Sequence, residues 1–350
     1  NSRKYSTTGN YYASKTPNAS SPNVWCVTTA ETAGLRARHH RRPATKSNKT
    51  PGCSQDQTSA KTRAQYIAPL LFYNHNSQSM PVRTPRQTLD TALASGTAKA
   101  LLSSKTGSTS RLIILSALAG AYIALGGTLS LIAGYGFPDA AAANPALQKL
   151  ISGAVFPIGL MLVVVLGAEL FTGNNALLIP PLMQGRISAG AVMRNWALVW
   201  LGNFAGALAF AFFMVHLTGL TAPDPWSGAI RSMAEAKVSA PWFVIFLKGI
   251  GANWCVCLAV WLALSGKRLG EKLLACQIPV MAFVILGYEH CVANMFFIPA
   301  GMMEGADVSI SSLFIDNLLP STAGNIVGGA LLVGCIHSWL HGKDSTTEKA

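Results

Sequence analysis

Three ionisable residues interrupt long apolar stretches of this chain: Glu169, Glu289 and His290. An ionisable side chain at membrane depth costs about 2.5 kcal/mol or more, so each is expected to have a partner or a function. Histidine exchanges protons near neutral pH, and the charge of His290 should respond to burial and to its neighbour Glu289. We interpret His290 as part of a solute path. The two glutamates have an alternative, purely structural role, accepting backbone N–H bonds at a helix break.

The two polar segments that carry these residues repeat each other. They read GAELFTGNN at 167–175 and GYEHCVAN at 287–294. They align without a gap at three shared positions, which are Gly167, Glu169 and Asn174 in the first and Gly287, Glu289 and Asn294 in the second. GNFAGAL at 202–208 likewise matches GNIVGGAL at 324–331. The two halves of the chain therefore look duplicated.

The interruptions predict broken helices that meet near the middle of a membrane. Unpaired backbone groups in lipid cost several kcal/mol each, so such breaks are tolerated only inside protein or beside a wet cavity. Half-helices beginning near Asn174 and Asn294 would point the positive ends of their dipoles at that cavity. This arrangement favours an anion, and it predicts a pore.

The elements that must position these residues are membrane spans. The chain is 50% hydrophobic and 12% charged, about half the charged share of an ordinary soluble domain. About 20 apolar residues cross the hydrocarbon core, and six stretches are long enough. They cover residues 112–135, 150–182, 191–217, 241–265, 273–302 and 318–340, with the second and fifth interrupted. We predict an all-α membrane protein whose two three-span halves are inverted relative to each other.

Lys and Arg residues near the span ends set the orientation. Ten fall on one side and three, Lys149, Arg231 and Lys237, on the other. Both chain ends should therefore face the cytoplasm or, after import, the organelle interior. Ahead of the spans, Thr84 and Pro85 form an N-cap and first-turn signal that predicts an amphipathic helix on the membrane.

The first 83 residues differ in composition from the rest. Residues 1–89 hold 13 Lys or Arg against Glu31 and Asp56, within a Ser/Thr-rich sequence. We interpret residues 1–83 as a disordered, transit-peptide-like tail, residues 84–341 as the membrane domain and residues 342–350 as a polar C-terminal tail. A merely basic, disordered tail is the alternative. It lacks the aromatic interleaving and motifs of nucleic-acid binding, so we expect no nucleic-acid partner.

The sequence resembles the formate/nitrite transporter family at GAELFTGN, 167–174, and GANWCVCLA, 251–259. The similarity extends from Thr84 to about His341. It implies a homopentamer in which each protomer has its own channel with an aquaporin-like fold. It also implies small monovalent anions, or their neutral acids, as solutes.

The resemblance further implies roles for individual residues. Those on the substrate path are the central His290, the pore Thr172, the pore Asn253, Leu170 of the broken second span and Lys237, which would draw anions into the outer vestibule. The hydrophobic constrictions are Phe156, Leu160, Phe283 and Val256. By their pattern alone, these apolar residues would belong to the core. Mid-span Lys248 is expected to form a structural ion pair with Glu169 or Glu289, or to assist anion passage.

Other functional classes fit less well. An aquaporin-type channel for neutral solutes would carry paired Asn-Pro-Ala loops, which the sequence lacks. An intramembrane enzyme needs a metal or nucleophile constellation, and the histidines and cysteines lack ligand spacing, so we expect no metal, cofactor or catalysis. Without a GxxxxGK[ST] loop, transport should be passive or proton-linked. A transit-like tail suggests the chloroplast envelope, with nitrite, or alternatively bicarbonate, as cargo; a mitochondrial location, or a formate channel in the plasma membrane, remains open.

Overall fold

The computed structural model describes residues 82–104 and 109–342. The predicted N-terminal tail, apart from Val82 and Arg83, and the predicted C-terminal tail, apart from Gly342, lie outside the described residues. The described part is helical, as the sequence predicts. Its helices, in chain order, are α1 Pro85–Ser104, α2 Thr109–Tyr135, α3 Pro138–Ala143, α4 Pro145–Val155, α5 Ile158–Leu166, α6 Phe171–Leu177, α7 Ile179–Met183, α8 Ala189–Phe210, α9 Trp226–Ser239, α10 Trp242–Ser265, α11 Leu269–Ile285, α12 Cys291–Met303, α13 Ile310–Ser312, α14 Leu319–Ile326 and α15 Ile336–His341.

Helix α1 begins where its sequence signal predicts. The Gln87 N–H donates to Thr84 Oγ1 at 3.2 Å, and the Thr84 N–H donates to Gln87 Oε1 at 3.0 Å. This reciprocal capping pairs two N–H groups that the first helical turn leaves without an acceptor. One face of the helix, with Leu89, Ala92 and Leu93, is buried. Lys99, farther along α1, is thereby fixed against the membrane helices.

Five helical stretches in the described chain are long and apolar enough to cross a membrane. They are Thr109–Tyr135, Pro145–Leu166, Ala189–His216, Trp242–Ser265 and Ile310–His341. The third and fifth continue through π-helical turns at Ala211–His216, Leu313–Leu318 and Val327–Cys335. The fifth predicted span, 273–302, is divided between α11, of 17 residues, and α12, of 13 residues. Each is too short to cross alone, which confirms the interruption.

Both breaks have the same backbone form. Helix α5 is followed directly by Gly167, whose φ is +72°, and α11 is followed after one residue by Gly287, whose φ is +66°. Glycine adopts this left-handed conformation without the steric cost of a Cβ atom. Three residues of extended or irregular chain follow before α6 and α12 begin.

The half-helices begin three residues earlier than predicted, at Phe171 and Cys291 rather than near Asn174 and Asn294. The reason is that Leu170 and His290 are already the N-cap residues, with extended backbone. All seven residues of Phe171–Leu177 and all of 291–301 are buried. The breaks are therefore enclosed by protein, as the absence of water from lipid requires.

Helices α2 and α8 pack with their backbones in close contact. A Cβ atom added at Gly206 would overlap the main-chain oxygen of Ala117, whereas one at Gly190 would meet only Ser188 Oγ, at 3.8 Å. Gly206→Val should therefore lower stability by about 1–3 kcal/mol or more, because backbone atoms cannot move aside. Gly190→Val, in the same helix, is the matched control. Thermal melting in detergent followed by size-exclusion chromatography measures both; equal melting temperatures would contradict this packing.

Candidate functional site

Two asparagines brace the two breaks in the same way. The Phe171 N–H, first in α6, donates to Asn203 Oδ1 at 2.9 Å, and the Cys291 N–H, first in α12, donates to Asn325 Oδ1 at 2.9 Å. Both asparagines are fully buried. They satisfy helix-terminal N–H groups that have no acceptor within their own helix.

The other end of each asparagine amide binds the chain just before the half-helix. Asn203 Nδ2 donates to the Glu169 carbonyl at 2.9 Å, and Asn325 Nδ2 donates to the Glu289 carbonyl at 2.9 Å. These asparagines belong to the repeated GN pairs of the sequence. The sequence shows the repeat but does not reveal its role as a brace for the breaks; the only signal is the similar separation from each Glu, 33 residues from Glu169 to Gly202 and 35 residues from Glu289 to Gly324.

Each break carboxylate is buried and forms an ion pair with a partly buried lysine. Lys99 Nζ lies 2.7 Å from Glu169 Oε1, and Lys237 Nζ lies 2.9 Å from Glu289 Oε2. Among the described residues, Lys248 does not lie within ion-pair distance of either glutamate, although its charge is close enough to act on that of Glu289. Lys248 contributes its main-chain carbonyl instead, which accepts the Glu289 N–H at 3.3 Å.

Asparagine amides complete both ion pairs. Asn174 Nδ2 donates to Glu169 Oε2 at 2.8 Å, and Asn294 Nδ2 donates to Glu289 Oε2 at 2.7 Å. A buried charge pair is stable only when such additional hydrogen bonds satisfy its remaining polar groups. The same set of Lys, Glu and Asn therefore recurs at both breaks, from two helices, α1 and α9, that supply the lysines.

Two cavities reach these breaks. The Glu169 cavity, of about 460 Å³, is lined by Lys99, Arg111, Leu160, Glu169, Asn174 and Val260 among others. The Glu289 cavity, of about 230 Å³, is lined by Lys149, Phe156, Lys237, Phe283, Glu289 and His290 among others. Nine wall positions of the first cavity correspond to wall positions of the second when 120 is added to the residue number, from Val163 and Phe283 to Leu177 and Phe297.

The cavities open toward opposite ends of the same span. Lys149 lies on the Glu289 cavity and Gly167 on the Glu169 cavity, at opposite ends of Pro145–Leu166. At 1.5 Å per helical residue, about 27 Å separates them. Phe156 and Leu160 face different cavities although they are only one turn apart. A partition roughly one helical turn thick therefore separates the cavities.

The partition is apolar. Phe156 and Phe283 meet edge to face with ring centroids 5.7 Å apart, and both are at most 3% exposed. Leu160 is 2% exposed. Because a bare anion loses its hydration among such side chains, it meets a large barrier, whereas a neutral molecule does not.

His290 lies at this partition, at a position where the two halves of the chain have different residues. Its ring stacks on Phe283 with centroids 5.8 Å apart, and its counterpart at the other break is Leu170. Nδ1 accepts the Ala293 N–H at 3.1 Å, so in the neutral ring Nε2 carries the hydrogen and donates it to Thr172 Oγ1 at 2.9 Å. Among the described residues, His290 supplies the only imidazole on either cavity wall, and it contacts Thr172 of the opposite half-helix, α6.

The structure brings most of the sequence-predicted residues to these cavities but not all. Thr172 lines neither cavity and contacts the path only through His290. Asn253 is fully buried behind α6, where its Nδ2 donates to the Thr172 carbonyl at 3.2 Å and to the Asn325 carbonyl at 2.6 Å. Val256 is buried on α10, one turn before Val260 of the Glu169 cavity. Asn253 therefore positions the half-helices and is not exposed to either cavity.

Two cavities that approach from opposite ends of a helical bundle, with buried charges and a thin apolar partition, define a membrane transport protein. A family model described as formate/nitrite transporter matches residues 86–339. The probable formate transporter of Methanothermobacter thermautotrophicus is 42% identical over 249 residues, covering 67% of this chain and 90% of the relative. The chain belongs to the formate/nitrite transporter family.

Solved structures agree. A chain described as an FNT family ion channel matches with a TM-score of 0.66 and 32% identity, over 72% of this chain and 98% of that one. A pentameric formate channel with formate bound matches with a TM-score of 0.62 and 30% identity, over 68% of this chain and 100% of that one. Such relatives are transporters and channels rather than enzymes. The protein is accordingly an integral membrane channel for small anions.

Proposed function

We propose that this protein conducts a small monovalent anion, with nitrite first and formate or bicarbonate as alternatives, and that the anion crosses the partition as its neutral acid. The observation that carries the proposal is the position of His290, which lies on the Glu289 cavity wall against Phe283 of the apolar partition. The same place in the other half holds Leu170. One proton-exchanging group thus lies where charge becomes costly.

The proton and the anion meet at His290. An approaching anion stabilises the charged imidazolium form, because an opposite charge within a few ångströms favours ionisation. The imidazolium, which has taken its extra proton from the aqueous side of the Glu289 cavity, gives that proton to the anion and returns to the neutral ring, and the anion leaves as a neutral acid. Phe156, Leu160 and Phe283 admit this form at a much lower desolvation cost. Transport is passive and is driven by the concentration gradient of the neutral acid.

The partition makes a testable contribution to selectivity. Phe283→Ala removes a ring that contacts both Phe156 and His290. Permeability to glycerol should rise by about tenfold, which corresponds to a barrier lower by about 1.4 kcal/mol. Stopped-flow swelling of proteoliposomes measures it. Phe204→Ala, which removes a ring stacked on Trp200 away from both cavities, is the control; equal glycerol permeability in both variants would show that Phe283 is not part of the barrier.

We further propose a homopentamer with one pathway in each protomer. Large apolar side chains cover the outer surfaces of the spans, including Leu201 at 58% and Phe213 at 60% exposure. A matching solved structure is described as a pentameric formate channel, which supports the same assembly here. Light scattering of the purified protein in detergent, corrected for bound detergent, tests the subunit number.

For location, we propose the chloroplast envelope, on the basis of the basic, Ser/Thr-rich residues 1–83. A fluorescent fusion of the full chain should co-localise with an envelope marker. Fluorescence at mitochondria or at the plasma membrane would replace this location with one of the alternatives.

The transport proposal is tested directly by flux. Purified protein in liposomes is assayed for uptake of nitrite, formate and bicarbonate across an imposed pH gradient. We expect saturable uptake that is fastest for nitrite. The uptake rate should be higher when the anion enters from the more acidic side of the membrane. Fastest uptake of bicarbonate would reassign the cargo, and saturable uptake of none of the three would refute the function.

A further inference from the structure

The two partly buried lysines of the cavity walls, Lys99 and Lys237, have little net charge with which to attract a passing anion. Lys99 and Lys237 are 2.7 Å and 2.9 Å from buried carboxylate oxygens, and their side chains are 17% and 16% exposed. An ion pair at this distance presents a dipole to its surroundings and no net charge. Both lysines therefore hold a break in place while contributing little attraction at a distance.

Each cavity wall also contains a second cation of a different kind. Arg111 lies on the Glu169 cavity and Lys149 on the Glu289 cavity, and both are exposed. Neither side chain forms a hydrogen bond or ion pair with any residue in the part of the chain that the structure describes. Their full charge is available to solutes.

The charge of each wall follows from these four cations. The Glu169 cavity has Lys99, Arg111 and one carboxylate, and the Glu289 cavity has Lys149, Lys237 and one carboxylate. With His290 neutral, each wall has one net positive charge. In both cavities that charge belongs to the unpaired residue.

We infer that Arg111 and Lys149 are the residues that capture the anion at the two mouths, and that Lys237 acts only as a structural partner of Glu289. The inference rests on the proposed function and refines it, because it transfers the attraction expected of Lys237 to Lys149. Exposed cations suit this task. They raise the local concentration of an anion while the anion keeps its hydration shell. The size of this attraction depends on the charge of the side chain and not on its shape.

The expected size follows from Coulomb attraction at the mouth. A unit charge about 7 Å from an anion in water changes its local concentration about threefold. At about 10 mM salt and a subsaturating anion concentration, Lys149→Gln and Arg111→Gln should each slow nitrite uptake about threefold. Lys149→Glu should slow it roughly five- to tenfold, whereas Lys149→Arg should keep the wild-type rate.

The salt dependence of uptake distinguishes a loss of electrostatic anion capture from a structural defect. The screening length falls to about 3 Å in 1 M salt, so the differences among these variants should shrink to less than about 1.5-fold. Two control variants remove cations that line neither cavity. Arg231→Gln lies on the membrane side assigned to Lys149, and Arg186→Gln lies on the side assigned to Arg111. Both should have the wild-type rate of nitrite uptake at both salt concentrations.

The outcomes are distinct. Wild-type rates for Lys149→Gln and Arg111→Gln at low salt, or a loss that persists in 1 M salt, would overturn this inference while leaving the channel function intact. A loss in Lys149→Arg equal to that in Lys149→Gln would also overturn it, because the charge is retained. Absence of saturable uptake by the wild-type protein would overturn the proposed function, and this inference with it.

Discussion

Replacing His290 by Asn is expected to slow nitrite uptake at acidic pH by about a hundredfold and to flatten its pH dependence. Proton transfer by a positioned side chain typically contributes two to four orders of magnitude to a rate. Asn has no proton to exchange at these pH values, so the anion would reach Phe156 and Phe283 still charged. The substitution therefore removes proton exchange at the partition and changes little else.

Asn is chosen because the fold should tolerate it. His290 is the N-cap of α12, with Nδ1 accepting the Ala293 N–H at 3.1 Å, and Asn is among the best N-cap residues. His216→Asn is the matched control, since His216 contacts Glu304 and lines neither cavity. Uptake is measured in proteoliposomes from about pH 5 to 8. A wild-type pH profile in His290→Asn would show that His290 has no part in proton transfer.

The second large effect concerns the ion pair at the break. Lys237→Met should lower the free energy of unfolding by about 3–5 kcal/mol, because Glu289 would remain buried without its cation. Glu289→Gln should cost a similar amount by leaving Lys237 unpaired. Together, the two substitutions should cost clearly less than the sum of the single ones, since no unpaired charge remains.

This double-mutant cycle has an internal reference. Arg86 and Asp90 form an exposed ion pair with N–O separation 3.4 Å, four residues apart on α1. Asp90→Asn should cost at most about 0.5 kcal/mol, the usual contribution of such a pair. Denaturant unfolding of detergent-solubilised protein, followed by tryptophan fluorescence, measures all variants. Additive losses at Lys237 and Glu289 would mean that the two charges are not coupled as the structure indicates.

The helix breaks could be predicted from local sequence because their cause is local. Polar residues in an apolar stretch require partners, and a glycine beside them permits the left-handed turn seen at Gly167 and Gly287. The exact start of each half-helix could not be read in the same way. It depends on Asn203 and Asn325, which lie 32 and 34 residues from the N–H groups they accept.

The partners of the buried carboxylates could not be predicted from local sequence patterns. Lys99 reaches Glu169 across 70 residues because α1 packs under the first half-helix, and nothing in the spacing of α1 specifies that contact. The position of Lys248 in an apolar span favours it as a partner for a buried carboxylate. In the structure, however, α10 is oriented so that the main-chain carbonyl of Lys248 faces Glu289. Asn253 likewise looked like a path residue, whereas its amide supports the two half-helices from behind.

The central claim is that anion and proton cross the partition together, and the charge carried per turnover tests it most directly. Proteoliposomes containing a pH dye receive a nitrite gradient while potassium and valinomycin clamp the membrane potential at zero or at about 100 mV; protein-free liposomes give the background. A single charge moved through 100 mV gains about 2.3 kcal/mol, a strong bias if the anion crosses alone. We expect lumenal acidification that accompanies nitrite uptake one to one, at a rate independent of the potential. Nitrite accumulation that follows the potential without acidification would contradict it.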